Sequence, residues 1–275
     1  MLTEFRAPLA PLFVPGDRPE RFAKAAASGA DAVILDLEDA VAPEAKALAR
    51  EAVARHGIER VPVILRINAS SSDAFQADLA ALRQTRFAAL MLAKAETAAD
   101  IRLIHALMGR QVPVIALVES APAFQDLGAL LNEPGVVQAA FGSLDLALDL
   151  GCQPSWEALG HCRGMLVLQS RLAGLPAPLD GVTPSFDDPA AVQQDALIAS
   201  HLGFGGKLAI HPRQVAPINQ AFRPDAQSVS WARRVLEAVR GGGAVQVDGA
   251  MVDRPLIERA RRILSRSSPV GESQA

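Results

Sequence analysis

Eight short apolar runs of β-type composition recur along this chain, separated by longer segments of helical period, and that alternation is the pattern of parallel strands joined by crossover helices. The runs fall at 11–15, 32–37, 62–67, 89–93, 113–118, 137–142, 178–183 and 206–211. Helices are expected over 19–28, opened by Pro19, over 44–56, over 73–85 capped by Ser72 or Asp73, over 97–108 capped by Thr97, and over 121–131, 155–173, 187–202 and 214–221. In 97–108 the residues Ile101, Ile104, His105 and Met108 share one face, while Asp100 and Arg102 are expected to point outward. The repeats predict an α/β fold, a TIM (β/α)8 barrel, whose active site lies at the carboxyl ends of the strands.

At 275 residues, half of them hydrophobic, the chain suits one large α/β domain, expected over 1–225. The rest reads as a C-terminal helix–hairpin–helix extension over 226–265: a helix 228–240, the Gly241–Gly243 run, a strand 244–247, a turn at Asp248-Gly249 and a last helix from near Pro255. Such an extension has to pack on its own barrel or on a neighbouring subunit, and a homo-oligomer, a trimer or hexamer, is expected. Residues 266–275 read as a disordered tail. A net charge of −3 and a pI near 6.0 leave no basic excess for nucleic acid. No stretch reaches the ~18 apolar residues of a membrane span, and the start MLTEFRAPLAPLFVPG is acidic and proline-broken where a signal peptide would be basic and apolar. The expectation is a cytoplasmic protein with no membrane partner. Cys152 and Cys162 form no CxxC pair and are read as inert.

Five of the runs end in residues that do chemistry: VILDLED on Glu38 and Asp39, VILRIN on Arg66, LMLAK on Lys94, VIALVE on Glu119 and AAFGSLD on Asp145. A strand buried on both faces cannot carry such groups in its middle without a large desolvation cost, whereas its last residue can present them to a pocket. Glu119 and Asp145, on consecutive strand ends, would supply two hard oxygen ligands to Mg²⁺ and leave positions for a substrate. Either acid alone could equally be a helix cap or a surface charge. Asp36, Glu38 and Asp39 form an acidic cluster. Arg66 and Lys94 could neutralise it in a structural ion-pair network or bind a substrate carboxylate. Gly16 and Arg18, just before the helix that Pro19 opens, suit a phosphate or a plain capped turn. His211 is read as packed rather than as a hydrogen-bonding partner of the site. His56, His105, His161 and His201 lie on helices and have no assigned role, and no Ser-His-Asp, HExxH or Walker-type signature is present.

The segments LFVPGDRPERFAKA, DAVILDLEDAV with Lys46 and Arg50 on the following helix, VILRIN, LMLAKAET, VIALVES, FGSLDLALDLG, GFGGKLAIHPRQV and DGAMVDRP together resemble the citrate lyase beta-subunit-like family of the HpcH/HpaI aldolase superfamily. The resemblance implies a TIM barrel that binds Mg²⁺, with Mn²⁺ as a substitute, and makes or breaks a carbon–carbon bond beside an acyl thioester of coenzyme A or an acyl carrier. Malyl-CoA and citramalyl-CoA are the substrate types it implies. A CoA-independent 2-oxoacid aldolase, a malate-synthase-like condensing enzyme and a non-catalytic thioester-binding subunit are the alternatives. By position, Glu119 and Asp145 resemble the metal ligands and Arg66 the residue that holds substrate oxygens. Glu38 and Asp39 would organise metal-bound water, and Lys94 and Arg18 would line the cofactor and substrate pocket. Asp253 resembles an acid/base brought from a neighbouring subunit. Ala93 and Leu208 depart from the family's usual proline and aromatic residue without removing a charged group.

Overall fold

The computed structural model describes residues 5–240, 246–248 and 250–267, which fall into two compact units dividing after Gln220. In the first unit the strands are β1 (Leu12–Pro15), β2 (Val33–Asp36), β3 (Val63–Ile67), β4 (Ala89–Leu92), β5 (Val114–Val118), β6 (Val136–Phe141), β7 (Leu179–Asp180) and β8 (Gly206–Lys207). They form one eight-stranded sheet in chain order, with every neighbouring pair parallel. Leu12 bridges Ala209, and the Phe13 N–H donates to the Ala209 carbonyl at 2.8 Å, so the sheet curls back on itself as the expected barrel. The helices are α1 (Phe22–Ala26), α2 (Lys46–Ala54), α3 (Phe75–Leu82), α4 (Ala98–Met108), α5 (Leu127–Asn132), α6 (Ser143–Leu150), α7 (Trp156–Leu172), α8 (Pro189–Leu202) and α9 (Pro212–Phe222). Inward residues of successive strands, among them Ile34, Ile64, Met91, Ile115, Leu117 and Leu179, fill the barrel interior as one apolar cluster.

Three differences from the sequence reading matter. First, α6 occupies a segment expected to be the end of a strand and its loop, so Asp145 stands in the first turn of a helix and not at a strand end. The sequence SLDLALDL places Leu146 and Ala147 in the core but also exposes Leu144, Leu148 and Leu150, which hides its helical period. Second, Asp100 does not point outward: its carboxylate accepts from the Thr97 N–H at 2.8 Å and the Ser70 hydroxyl at 2.6 Å, completing a capping box with Thr97. Third, α3 begins later than expected, after Ala74, with the Ser72 hydroxyl accepting only from the Ala74 N–H. His211 is packed, as read, stacking on Phe186 with ring centroids 4.8 Å apart.

Strands β7 and β8 are two residues long where six-residue runs were expected. Pro178 offers no N–H to a ladder, and Gly205 and Gly206 bring no side chain to pack. Buried charge joins these strands instead. Lys207 Nζ lies 2.6 Å from Asp180 Oδ2 and 2.9 Å from Asp195 Oδ2, and Arg163 Nε donates to Asp180 Oδ1 at 2.9 Å. Trp156 Nε1 donates to Asp195 Oδ1 at 2.6 Å and the Thr183 hydroxyl donates to Oδ2. Two acids meet two bases, tying β7 and β8 to α7 and α8.

The second unit comprises α10 (Ala226–Arg240), β9 (Gln246–Val247), β10 (Ala250–Met251) and α11 (Arg254–Ser267). Strands β9 and β10 pair antiparallel, and Ala232, Val235 and Ala260 form a small core with Trp231, Leu236 and Ile263 against it. The expected strand 244–247 is described only from Gln246, and α11 runs through Ser267; residues 268–275 lie outside the described residues. Among the described residues no helix is long and apolar enough to cross a membrane.

Replacing Lys207 by Met leaves buried Asp180 with Arg163 as its one remaining cation and half-buried Asp195 with none, and the unfolding free energy from urea titration is expected to fall by about 3 kcal/mol. Burial pushes the Asp195 carboxyl up, but the Lys207 charge and the bonds from Thr183, Lys207 and Trp156 outweigh it and hold it below the ordinary carboxylate range. A depressed acid stabilises the fold above its unfolded pKa of about 4, and that contribution is lost as pH falls through the lower folded value. Asp195→Asn should therefore be less stable than wild type at neutral pH, with the difference shrinking under acid in pH-dependent melting curves.

Candidate active site

Parallel register sets the first contact of the site. Asp36, the last residue of β2, pairs with Arg66 of β3, and the guanidinium closes on it bidentately, Nε and Nη2 each 2.6 Å from a carboxylate oxygen. Fully buried Asp36 also accepts from the N–H groups of Glu38 at 2.9 Å and Ala40 at 3.1 Å, which turns the chain just past the strand. Lys46 of α2 holds that turn from outside, donating to the carbonyls of Leu37 and Glu38 at 2.8 and 3.0 Å. Glu38 is folded back over the barrel end, where its two oxygens meet Arg66 Nη1 and Lys94 Nζ, each at 3.0 Å. The Phe13 ring lies 4.7 Å beneath the guanidinium carbon.

Lys94 follows β4 with φ of 47°, in the left-handed region that a residue with a Cβ seldom adopts. That conformation sends its ammonium to Glu38 and its N–H to Glu119 Oε1 at 2.9 Å. Glu119 follows β5 and is 3% exposed. It lies against Gly142, where a Cβ would stand 2.3 Å from Glu119 Oε2 and 2.4 Å from its Cβ, so only glycine fits. Gly142 is the N-cap of α6, and the first turn of that helix carries Asp145.

The electrostatics of the cluster are unbalanced. Burial, and then the negative charge of Asp145, push the Glu119 carboxyl up to about 8, against the Lys94 N–H and the Arg66 charge. Burial works against the charges of Arg66 and Lys94, but the surrounding carboxylates outweigh it and raise both. Four carboxylates, of Asp36, Glu38, Glu119 and Asp145, face the two cations Arg66 and Lys94. Acids thus outnumber bases in this cluster, and carboxylate oxygens are ligands that fit Mg²⁺ or Mn²⁺. Among the described residues no group of three or more His, Cys, Asp or Glu side chains could hold a metal. A cation on Glu119 and Asp145 would therefore take most of its ligands from water and substrate. A cavity of about 410 Å³ is bordered by Ser143 and Leu144 of α6 together with Trp156, Arg163, Thr183 and Asp195, so it meets the first turn of α6 and the Lys207 network, and neither Glu119 nor Asp145 lines it.

Of the residues singled out from sequence, Glu38, Arg66, Lys94, Glu119 and Asp145 come together here. Asp39 is exposed, bonds through its N–H to Glu38 Oε2 and acts on Lys94 by its charge. Arg18 has 55% of its side chain exposed, with Asp17 at 3.8 Å as its ion partner. Asp253 belongs to the second unit, where it accepts the Leu256 N–H at 3.0 Å at the start of α11. Sequence reasoning placed Asp36 in an acidic cluster that Arg66 and Lys94 could neutralise, but which acid Arg66 grips bidentately is decided by strand register, and the close approach at Gly142 was not foreseen. If the Lys94 backbone is strained, Lys94→Gly should be more stable than Lys94→Ala by about 1 kcal/mol in urea unfolding, since both lose the ammonium and only glycine accepts the angle freely. Equal stabilities would show that no strain is held there.

Comparison with known proteins shows the family and the fold. Residues 10–212 match the HpcH/HpaI aldolase/citrate lyase family. A citrate lyase subunit beta-like protein of Mycobacterium tuberculosis is 39% identical over 264 residues, covering 93% of this chain and 94% of the relative. A (3S)-malyl-CoA thioesterase of Cereibacter sphaeroides is 30% identical over 276 residues, with 96% of each chain covered. The crystal structure of the M. tuberculosis protein CitE, in complex with magnesium, acetoacetate and coenzyme A, superposes with a TM-score of 0.84 at 37% identity, over 95% of this chain and 98% of that one. The chain belongs to the HpcH/HpaI aldolase/citrate lyase family.

Proposed function

We propose that this protein is a Mg²⁺-dependent carbon–carbon lyase that cleaves, or in reverse forms, a 3-hydroxyacyl thioester such as malyl-CoA or citramalyl-CoA, yielding acetyl-CoA and a 2-oxoacid. The observation that carries the reading is Glu119, 3% exposed and under the charge of the half-buried Asp145, beside Arg66 at the carboxyl end of the barrel. The relative solved with magnesium, acetoacetate and coenzyme A, and the malyl-CoA thioesterase relative, support the substrate class.

In the cleavage direction the C3 hydroxyl loses its proton, the C2–C3 bond breaks, its electron pair passes into the thioester as an enolate, and C2 takes up a proton. Glu119 and Asp145 would hold a divalent cation, which would supply Lewis-acid chemistry that lowers the pKa of the hydroxyl. Arg66 has five N–H groups, three of them directed at Asp36 and Glu38, which leaves two for the oxygen that gains charge as the bond breaks. Asp36 fixes the guanidinium plane, so that donor needs no reorganisation during the reaction. Lys94 sits on the solvent side of Glu38, 40% exposed, where it can meet a carboxylate of the incoming acid. Asp253 is the acid assigned to protonate C2, delivered within a homo-oligomer.

With malyl-CoA and citramalyl-CoA as substrates, wild-type protein should release 2-oxoacid only when Mg²⁺ or Mn²⁺ is present. Glu119→Gln should abolish release while keeping the far-ultraviolet circular dichroism of wild type, and Asp253→Asn should slow release without weakening Mn²⁺ binding. Liberation of free hydroxyacid and coenzyme A with no 2-oxoacid would make the protein a thioesterase instead. Coenzyme A at 100 times its dissociation constant should stabilise the fold by about 2.7 kcal/mol, and no shift in melting temperature at millimolar ligand would favour a CoA-independent aldolase.

A further inference from the structure

Asp145 reaches the site from a helix whose first turn is set by two close approaches. One is Gly142 against Glu119, described above. The other lies on the far side of the turn: a Cβ on Gly181, just past β7, would stand 2.6 Å from Ser143 Oγ, 3.1 Å from Ser143 Cβ and 2.9 Å from the Phe141 carbonyl oxygen. Real side chains do not fit at such distances, so β7 touches the start of α6 only because residue 181 has no side chain. Ser143 is 4% exposed, and together with Leu144 it also borders the 410 Å³ cavity, so the turn is not braced by packing all around. Gly181 itself is held in place, since the preceding residue is Asp180, fully buried and clamped by Lys207 and Arg163 at 2.6 and 2.9 Å.

We infer that Gly181 is a positioning residue for the cation-binding pair: by admitting Ser143 against the end of β7, it sets where α6 holds Asp145 relative to Glu119. The inference rests on the reading of Glu119 and Asp145 as ligands of one divalent cation. The path is a chain of contacts, Asp180 to Gly181 to Ser143 to Gly142 to Glu119, each link either covalent or closer than a methyl group would permit. Crowding at Gly181 pushes on the first turn of α6, and Asp145 is two residues beyond the point of pressure.

The test compares crowding at two glycines. Gly181→Ala presses on Ser143 at the carboxyl end of the barrel. Gly205→Ala presses on Ala177 at 2.9 Å from its carbonyl oxygen, before β8 and at the opposite end of the strand. Mn²⁺ affinity is read from the free-ion electron paramagnetic resonance signal, and stability from melting temperature. Gly181→Ala should bind Mn²⁺ at least about tenfold more weakly than wild type, whereas Gly205→Ala should lose melting temperature yet keep wild-type affinity. Adding Ser143→Ala to Gly181→Ala removes the nearest clashing atom but leaves the Phe141 carbonyl oxygen and the residue 143 Cβ in contact, and should restore part of the lost affinity. If Gly181→Ala does not fold, Ser143→Thr applies a milder pressure to the same contact and should weaken Mn²⁺ in the same sense. Wild-type affinity in the crowded variant, or equal losses of affinity at both glycines, overturns the positioning role while the cation reading stands. Wild-type protein that binds no Mn²⁺, or a Glu119→Gln variant that binds it as well as wild type, overturns the cation reading and this inference with it.

Discussion

Charge placed where water is scarce must be answered by other charge, and this protein answers it differently at two places. Around Lys207 the account is closed: Asp180 and Asp195 meet Lys207 and Arg163, with Trp156 and Thr183 completing the hydrogen bonds of Asp195. Around Glu119 it is open, with acids in excess and a carboxyl pushed toward neutrality. A balanced buried network holds elements together, whereas strongly perturbed, unbalanced groups are the kind that gather at functional sites. The same barrel thus carries one charged cluster that is balanced and another, at the candidate site, that is not.

The candidate site is assembled by backbone as much as by side chains. Asp36 and Arg66 meet because parallel register places them side by side, and the N–H groups after β2 bind the same carboxylate. Lys94 adopts a left-handed backbone and so serves two acids at once, by its ammonium and its amide. Glycines at 142 and 181 let helix α6 approach from a distance that no other residue permits. Precision of this kind suits chemistry in which charge develops on substrate oxygens, because donors fixed in advance need not reorganise.

Much of the site was legible along the chain. The desolvation rule picked out Glu38, Arg66, Lys94 and Glu119 at or just past strand ends, and the structure gathers them within hydrogen-bonding range of one another. Asp145 was found for a reason that does not hold, since it belongs to a helix that exposes Leu144, Leu148 and Leu150 and so conceals its period. The buried role of Lys207 escaped notice because it stands near the start of an apolar run that contains no acid, and its two acid partners are distant in sequence.

The order of elements, the parallel sheet and the face on which chemistry gathers were determined by the sequence alone, because hydrophobic period and the cost of burying charge act locally and leave a local record. Only the tertiary structure decided which acid Arg66 grips, why residues 142 and 181 lack side chains, and which charged cluster is closed and which is open. Those outcomes depend on strand register and on contacts between segments far apart in the chain, and such contacts exist only once the barrel has closed.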